Sequence, residues 1–204
     1  NGDGKQSFFH EIVKVGKPFN FTGTTYVLNL SRGKLSLDNA ATPLALDPMP
    51  PVLTVGSKCL PFDATTMDGQ KVSFPGSYKG KLVMIDFWAT WCGPCMGEVP
   101  NVVKVYNQYH DKGFEILGIS FDQPNATDKI NSTMKDKGMT WPQVYEGKFW
   151  DTSIGHMYDV AAIPFCLLVD GDTGEIVATV DTMRGDTLAT TIDKAIATKH
   201  GSGK

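Results

Sequence analysis

A chain of 204 residues, 41% hydrophobic and 20% charged, can build one core of ordinary domain size plus an extension. Its net charge of −3 offers no footing for nucleic acid or an anionic membrane, and no apolar run approaches the roughly 18 residues of a spanning helix. Four cysteines are too few for a disulfide scaffold at this length.

Beginning at Asn1 rather than Met, the chain is expected to be a form from which any signal peptide or anchor is already missing. Residues 1–54 are expected to be a β-rich extension with a linker. Strand-like runs fall at 8–15, 26–30 and 34–37, separated by Gly, Asn and Thr. The stretch from Val15-Gly16 through Pro18-Phe19 to Gly33-Lys34 echoes the one from Val55-Gly56 through Pro61-Phe62 to Gly69-Gln70-Lys71. Both read as β-hairpins, through partial duplication or chance likeness. Pro43, Pro48, Pro50 and Pro51 make 38–54 a semi-rigid linker.

Residues 55–199 read as the main domain and 200–204 as a flexible tail. A hairpin at 57–75 leads to a strand at 82–88, apolar throughout except for Asp86, as in a central strand covered on both faces. A helix is predicted over 93–110, with Val99, Val102, Val103 and Tyr106 inward and a kink at Pro100. A strand follows at 115–121, then a helix at 127–137 closed by Gly138. An extended piece at 141–145 and a short helix at 150–158 come next. The strand at 163–170 turns through Gly171-Asp172-Thr173-Gly174 into another at 175–180. A last helix over 186–198 carries Leu188, Ile192, Ala195 and Ile196 on one face.

The chemistry concentrates between the central strand and the first long helix, at Trp91, Cys92, Gly93, Pro94 and Cys95. A sulfur at a helix N-terminus lies beside unpaired N–H groups and the positive dipole end, which favour thiolate over thiol. Cys92, in an exposed and electropositive setting, is therefore the candidate nucleophile. Cys95, one turn further in, can close a small ring with it and resolve a mixed disulfide. Asp86 lies six residues before Cys92. An unpaired carboxylate in a buried strand is costly or takes up a proton, so the expected use is as a high-pKa proton acceptor for the inner cysteine. Glu98, three residues past Cys95, shares a helical face with it and is either a second acceptor or a solvated surface group. Half a zinc site is the other use of Cys-x-x-Cys, but Cys59 and Cys166 stand alone with no His at ligand spacing. Cys166 reads as a buried free thiol, with a bridge to Cys59 the alternative. No metal or other cofactor is called for.

The segment DFWATWCGPC resembles the active site of thioredoxins, and CxxCxxExP, with Glu98 and Pro100, resembles the exported TlpA/ResA-type thiol–disulfide oxidoreductases of bacteria. The resemblance spans about 55–199 and leaves the first 50 residues outside. It implies an α/β, thioredoxin-like fold: a central mixed sheet flanked by helices, preceded by an N-terminal β-hairpin and the short β-rich extension. Thioredoxins carry an Asp at the position of Asp86, whereas the TlpA/ResA type more often has Asn there and relies on a glutamate placed like Glu98; this chain has both. The resemblance also implies a cis proline at Pro164 facing the cysteines, with the Ile163 backbone pairing an extended substrate peptide. Trp91, Gly93 and Pro94 would complete the docking surface. The aromatic insert of Trp141, Tyr145, Phe149 and Trp150 reads as packing or as part of a substrate route.

The implied partners are disulfide-containing exported proteins and an upstream thiol donor of the membrane electron-carrier kind, outside the cytoplasm, with no nucleic acid. Gly-Pro between the cysteines resembles thioredoxin and points to a reductant. The open alternatives are an oxidant or isomerase of the same fold, a peroxiredoxin-like peroxidase, and a non-catalytic interaction module. A peroxidase would want a lone cysteine with Thr and Arg beside it, and the arginines, Arg32 and Arg184, are both distant in sequence.

Overall fold

The computed structural model describes residues 13–21, 23–45 and 53–201. The chain separates into two compact units, 1–51 and 52–204. Most of the strand-like run at 8–15, the centre of the proline-containing linker and the last three residues lie outside the described residues.

The first unit is an antiparallel meander of β1 (Pro18–Phe21), β2 (Thr24–Ser31) and β3 (Lys34–Asn39), ordered β1-β2-β3. Gly23 and Gly33, both at positive φ, stand at its two turns. The echo of the later hairpin does not extend to pairing. The two echoing segments of the first unit are β1 and β3, which each pair with β2 rather than with one another.

In the second unit β4 (Phe62–Thr65) and β5 (Lys71–Phe74) form the expected hairpin, with Phe62 stacked on Phe74. Beyond it run β6 (Leu82–Trp88), α1 (Gly93–Tyr109), β7 (Phe114–Ser120), α2 (Thr127–Lys137), β8 (Gln143–Tyr145), α3 (Ser153–Met157), β9 (Phe165–Asp170), β10 (Ile176–Thr179) and α4 (Thr187–Gly201). The main sheet is ordered β10-β9-β6-β7-β8. It is mixed: β6 pairs in parallel with β7 and antiparallel with β9. This is a thioredoxin-like fold with β6 at its centre.

All seven residues of β6 are buried, as are all seven of β7. Met84, Ile85, Phe87, Leu167 and Leu168 are sealed from solvent, and full burial of such side chains contributes about 1.5–3 kcal/mol each. One polar tie crosses this core: Trp88 Nε1 donates to Gln143 Oε1 at 2.8 Å. Gln143 can reach across because Gly118 lies in its path; a Cβ there would meet Gln143 Oε1 at 1.9 Å.

One expectation changes in detail. The helix predicted at 150–158 is divided. A 3₁₀ turn at Phe149–Asp151 precedes α3, and Thr152 caps α3 by accepting from Gly155 N–H at 3.3 Å. Helix α1 runs through Pro100 without interruption.

Candidate active site

Strand β6 ends at Trp88, and four residues later Cys92 is the N-cap of α1 in an extended backbone conformation. Pro94 occupies the first turn, where its missing N–H costs nothing. Cys92 Sγ accepts from the backbone N–H of Cys95 at 3.2 Å, and the two cysteines are joined as a disulfide with Cα atoms 5.2 Å apart. When the pair is reduced, the same N–H is available to stabilise a Cys92 thiolate. Contrary to the exposed position expected, Cys92 keeps only 4% of its surface, since its sulfur is turned inward to Cys95. The exposed part of the turn is Trp91, Gly93 and Pro94.

The approach to Cys92 is anchored from below by a carboxylate that sequence reasoning missed. Asp122, 2% exposed, accepts from Thr90 N–H at 3.0 Å, from Thr90 Oγ1 at 2.5 Å and from Ser120 Oγ at 2.9 Å. Trp91 Nε1 donates to the Phe121 carbonyl at 3.1 Å, while its ring, 41% exposed, lies against Phe149 and Trp150. Part of the aromatic insert thus continues the surface around Trp91.

Asp86 is 5% exposed and stands opposite Cys166 in the β6–β9 register. It is not the unpaired carboxylate expected: Arg184 Nη2 donates to its Oδ1 at 2.7 Å. Burial works against the Arg184 charge, but Asp86, Cys166 and Glu98 together outweigh it and hold the guanidinium above its ordinary pKa, Asp86 contributing most of the three. Arg184 is the main residue missed. Its signal was available in principle, because a buried carboxylate demands a countercharge and the sequence holds just two arginines.

Glu98 is half-buried, not a free surface glutamate. Its Oε1 accepts from Gly185 N–H at 2.9 Å and from Asn101 Nδ2 at 2.7 Å, and Asn101 also donates to the Gly185 carbonyl at 2.9 Å. Glu98 and Asn101 therefore clamp the loop between β10 and α4, on which Arg184 stands.

The Ile163–Pro164 peptide bond is cis. Because Phe165 pairs with Phe87, Pro164 sits beside the end of β6 that runs into the cysteine turn, half-exposed like Ile163. The remaining cysteines are free and buried. Burial raises Cys59 above the ordinary thiol value and pushes Cys166 up to about 12. Among the described residues no group of three His, Cys, Asp or Glu converges as metal ligands would.

The sequence profile of the AhpC/TSA family matches residues 55–192. Thiol-disulfide oxidoreductase ResA of Bacillus cereus is 30% identical over 125 residues, which is 61% of this chain and 68% of that protein. The thioredoxin domain of a thiol-disulfide oxidoreductase from Bacteroides vulgatus superposes with a TM-score of 0.61 at 33% identity, covering 71% of this chain and 99% of that one. A thiol:disulfide interchange protein from Bacteroides sp. gives a TM-score of 0.60 at 31% identity, covering 71% and 91%. With a Cys-x-x-Cys disulfide at the start of α1 on a thioredoxin-like sheet, the chain belongs to the AhpC/TSA family as a thiol–disulfide oxidoreductase.

Proposed function

We propose that the protein works as a reductant of disulfides in exported proteins, outside the bacterial cytoplasm. Reduced Cys92 attacks a target disulfide, forming a mixed disulfide and releasing one target thiolate. Cys95 then loses its proton and attacks Cys92 Sγ, which closes the Cys92–Cys95 disulfide and releases the second thiolate. The target gains two electrons and two protons; an upstream thiol donor returns the pair to its reduced form.

The observation that carries this reading is Cys92 Sγ at the N-cap of α1, accepting from the Cys95 N–H. It supports a nucleophilic Cys92 and a resolving Cys95, and two cysteines in one turn suit exchange better than the lone sulfur of a peroxidase. In this reading Asp86 takes the Cys95 proton. Trp91, Gly93, Pro94, Ile163 and Pro164 form the surface on which an extended peptide docks, with the Ile163 backbone as its pairing edge. Glu98 contributes by holding the loop of Arg184. Among the described residues no helix is long and apolar enough to cross a membrane.

The test is capture. In Cys95→Ser the resolving step is lost, so the variant is expected to accumulate mixed disulfides with exported proteins through Cys92, and Cys92→Ser is expected to accumulate none. Equal capture by both variants would contradict the assignment.

A further inference from the structure

Asp86 and Arg184 form an ion pair in the strand that feeds the cysteine turn, 98 positions apart in sequence, and both side chains are largely withdrawn from solvent. A buried pair of this kind is weak grounds for stability, because desolvation of two charges offsets their attraction. Its retention beside a redox centre calls for another account. Several features fix Arg184 independently of Asp86. Its carbonyl accepts from Thr187 Oγ1 at 2.8 Å, and the next residue, Gly185, is held on both backbone groups by Glu98 and Asn101 of α1. Met183, the preceding residue, is sealed in the core. The guanidinium is thus delivered to Asp86 by a loop fastened to the helix that carries both cysteines. Its Nε is buried without a hydrogen-bond partner among the described residues, so hydrogen bonds match its charge only in part.

We propose that Arg184 is a positioning residue for thiol–disulfide exchange, acting through Asp86 to set the pH at which Cys95 can be deprotonated to resolve the mixed disulfide. This rests on the reading of Asp86 as the acceptor for the Cys95 proton. Arg184 from the β10–α4 loop and Cys166 from β9 face Asp86, and Glu98 of α1 bears on both of them; the β7 residue in register with Asp86 is Gly118, which carries no charge. Arg184 is the cation of this set, and a cation at this distance favours the carboxylate that can receive a proton. Through that carboxylate the cation moves the resolving step toward lower pH.

The experiment follows single-turnover oxidation of the reduced full chain by a disulfide-linked peptide across about pH 5 to 9. The proteins are wild type, Arg184→Met, Arg184→Lys, Asp86→Asn and the double variant Asp86→Asn/Arg184→Met. The double variant removes both charges and so leaves none buried alone. In Arg184→Met the acid-side midpoint of the rate profile is expected to rise by about one pH unit, a roughly tenfold loss of rate at a fixed pH below it. Arg184→Lys is expected to restore most of that shift, and in the Asp86→Asn background Arg184→Met is expected to move nothing. An unchanged midpoint in Arg184→Met, or the same shift with and without Asp86, overturns the role of Arg184 and leaves Asp86 as acceptor. An Asp86→Asn protein with the wild-type profile overturns the acceptor reading itself, and the proposal with it.

Discussion

Cys92 and Cys166 are both nearly enclosed, yet their surroundings give the two thiols opposite chemistry. Cys92 meets the amide groups at the start of a helix, whereas Cys166 lies sealed near the start of β9, opposite Asp86, where burial pushes its thiol up to about 12. A thiol with that value is protonated throughout the neutral range, with a thiolate fraction near pH 8 of only about 10⁻⁴. Cys59 is shifted in the same direction by burial. When the native reduced protein is treated with iodoacetamide near neutral pH, Cys92 is therefore expected to be labelled first. Cys59 and Cys166 should stay unmodified until the chain is unfolded, as mass spectrometry of the peptides would report. Labelling of Cys166 as fast as Cys92 would contradict this assignment of reactivity.

Among the elements, α1 and the β9–β10 turn show how local geometry sets tolerance to change. A Cβ on Gly97 of α1 meets nothing within 4 Å, so Gly97→Ala should stabilise the protein by about 0.5–1 kcal/mol through helix propensity. At Gly171 a Cβ would lie 1.9 Å from the backbone carbonyl of Tyr78, which cannot yield as a side-chain tip can. Gly171→Ala should cost about 1–3 kcal/mol or more. Urea midpoints of the two variants should move in opposite directions; movement of both the same way would show that the surroundings of one glycine are misread.

The elements were legible in the sequence to the extent that local signals specify them. The apolar run of β6 marks a central strand at 82–88, and the αL glycine at Gly138 marks the end of α2 at Lys137, both as found. The break between Phe149–Asp151 and α3 was not legible, because it depends on the extended backbone and capping hydroxyl of Thr152 rather than on periodicity. The cysteine turn could be read because its parts are adjacent. Arg184 was legible only as one of two possible countercharges to Asp86 and Asp122 not at all, since their partnerships are made by the sheet: β9 returns beside β6 and brings the β10–α4 loop with it, and β7 ends beside the end of β6, which puts Asp122 against Thr90.

For the whole molecule, the family match over 55–192 falls within the second unit, and the β1–β3 meander lies outside it. The sheet puts β6 at its centre, with the cysteine turn at one of its ends and Pro164 beside it, an arrangement that serves oxidant and reductant alike. What separates the two is the relative stability of the disulfide and dithiol forms.

The equilibrium reduction potential of Cys92–Cys95 in thiol redox buffers tests the reductant reading most directly. A value below about −220 mV, on the thioredoxin side of the scale, is the predicted result. A value near about −120 mV would contradict it, since a pair so poised would install disulfides in its partners rather than remove them.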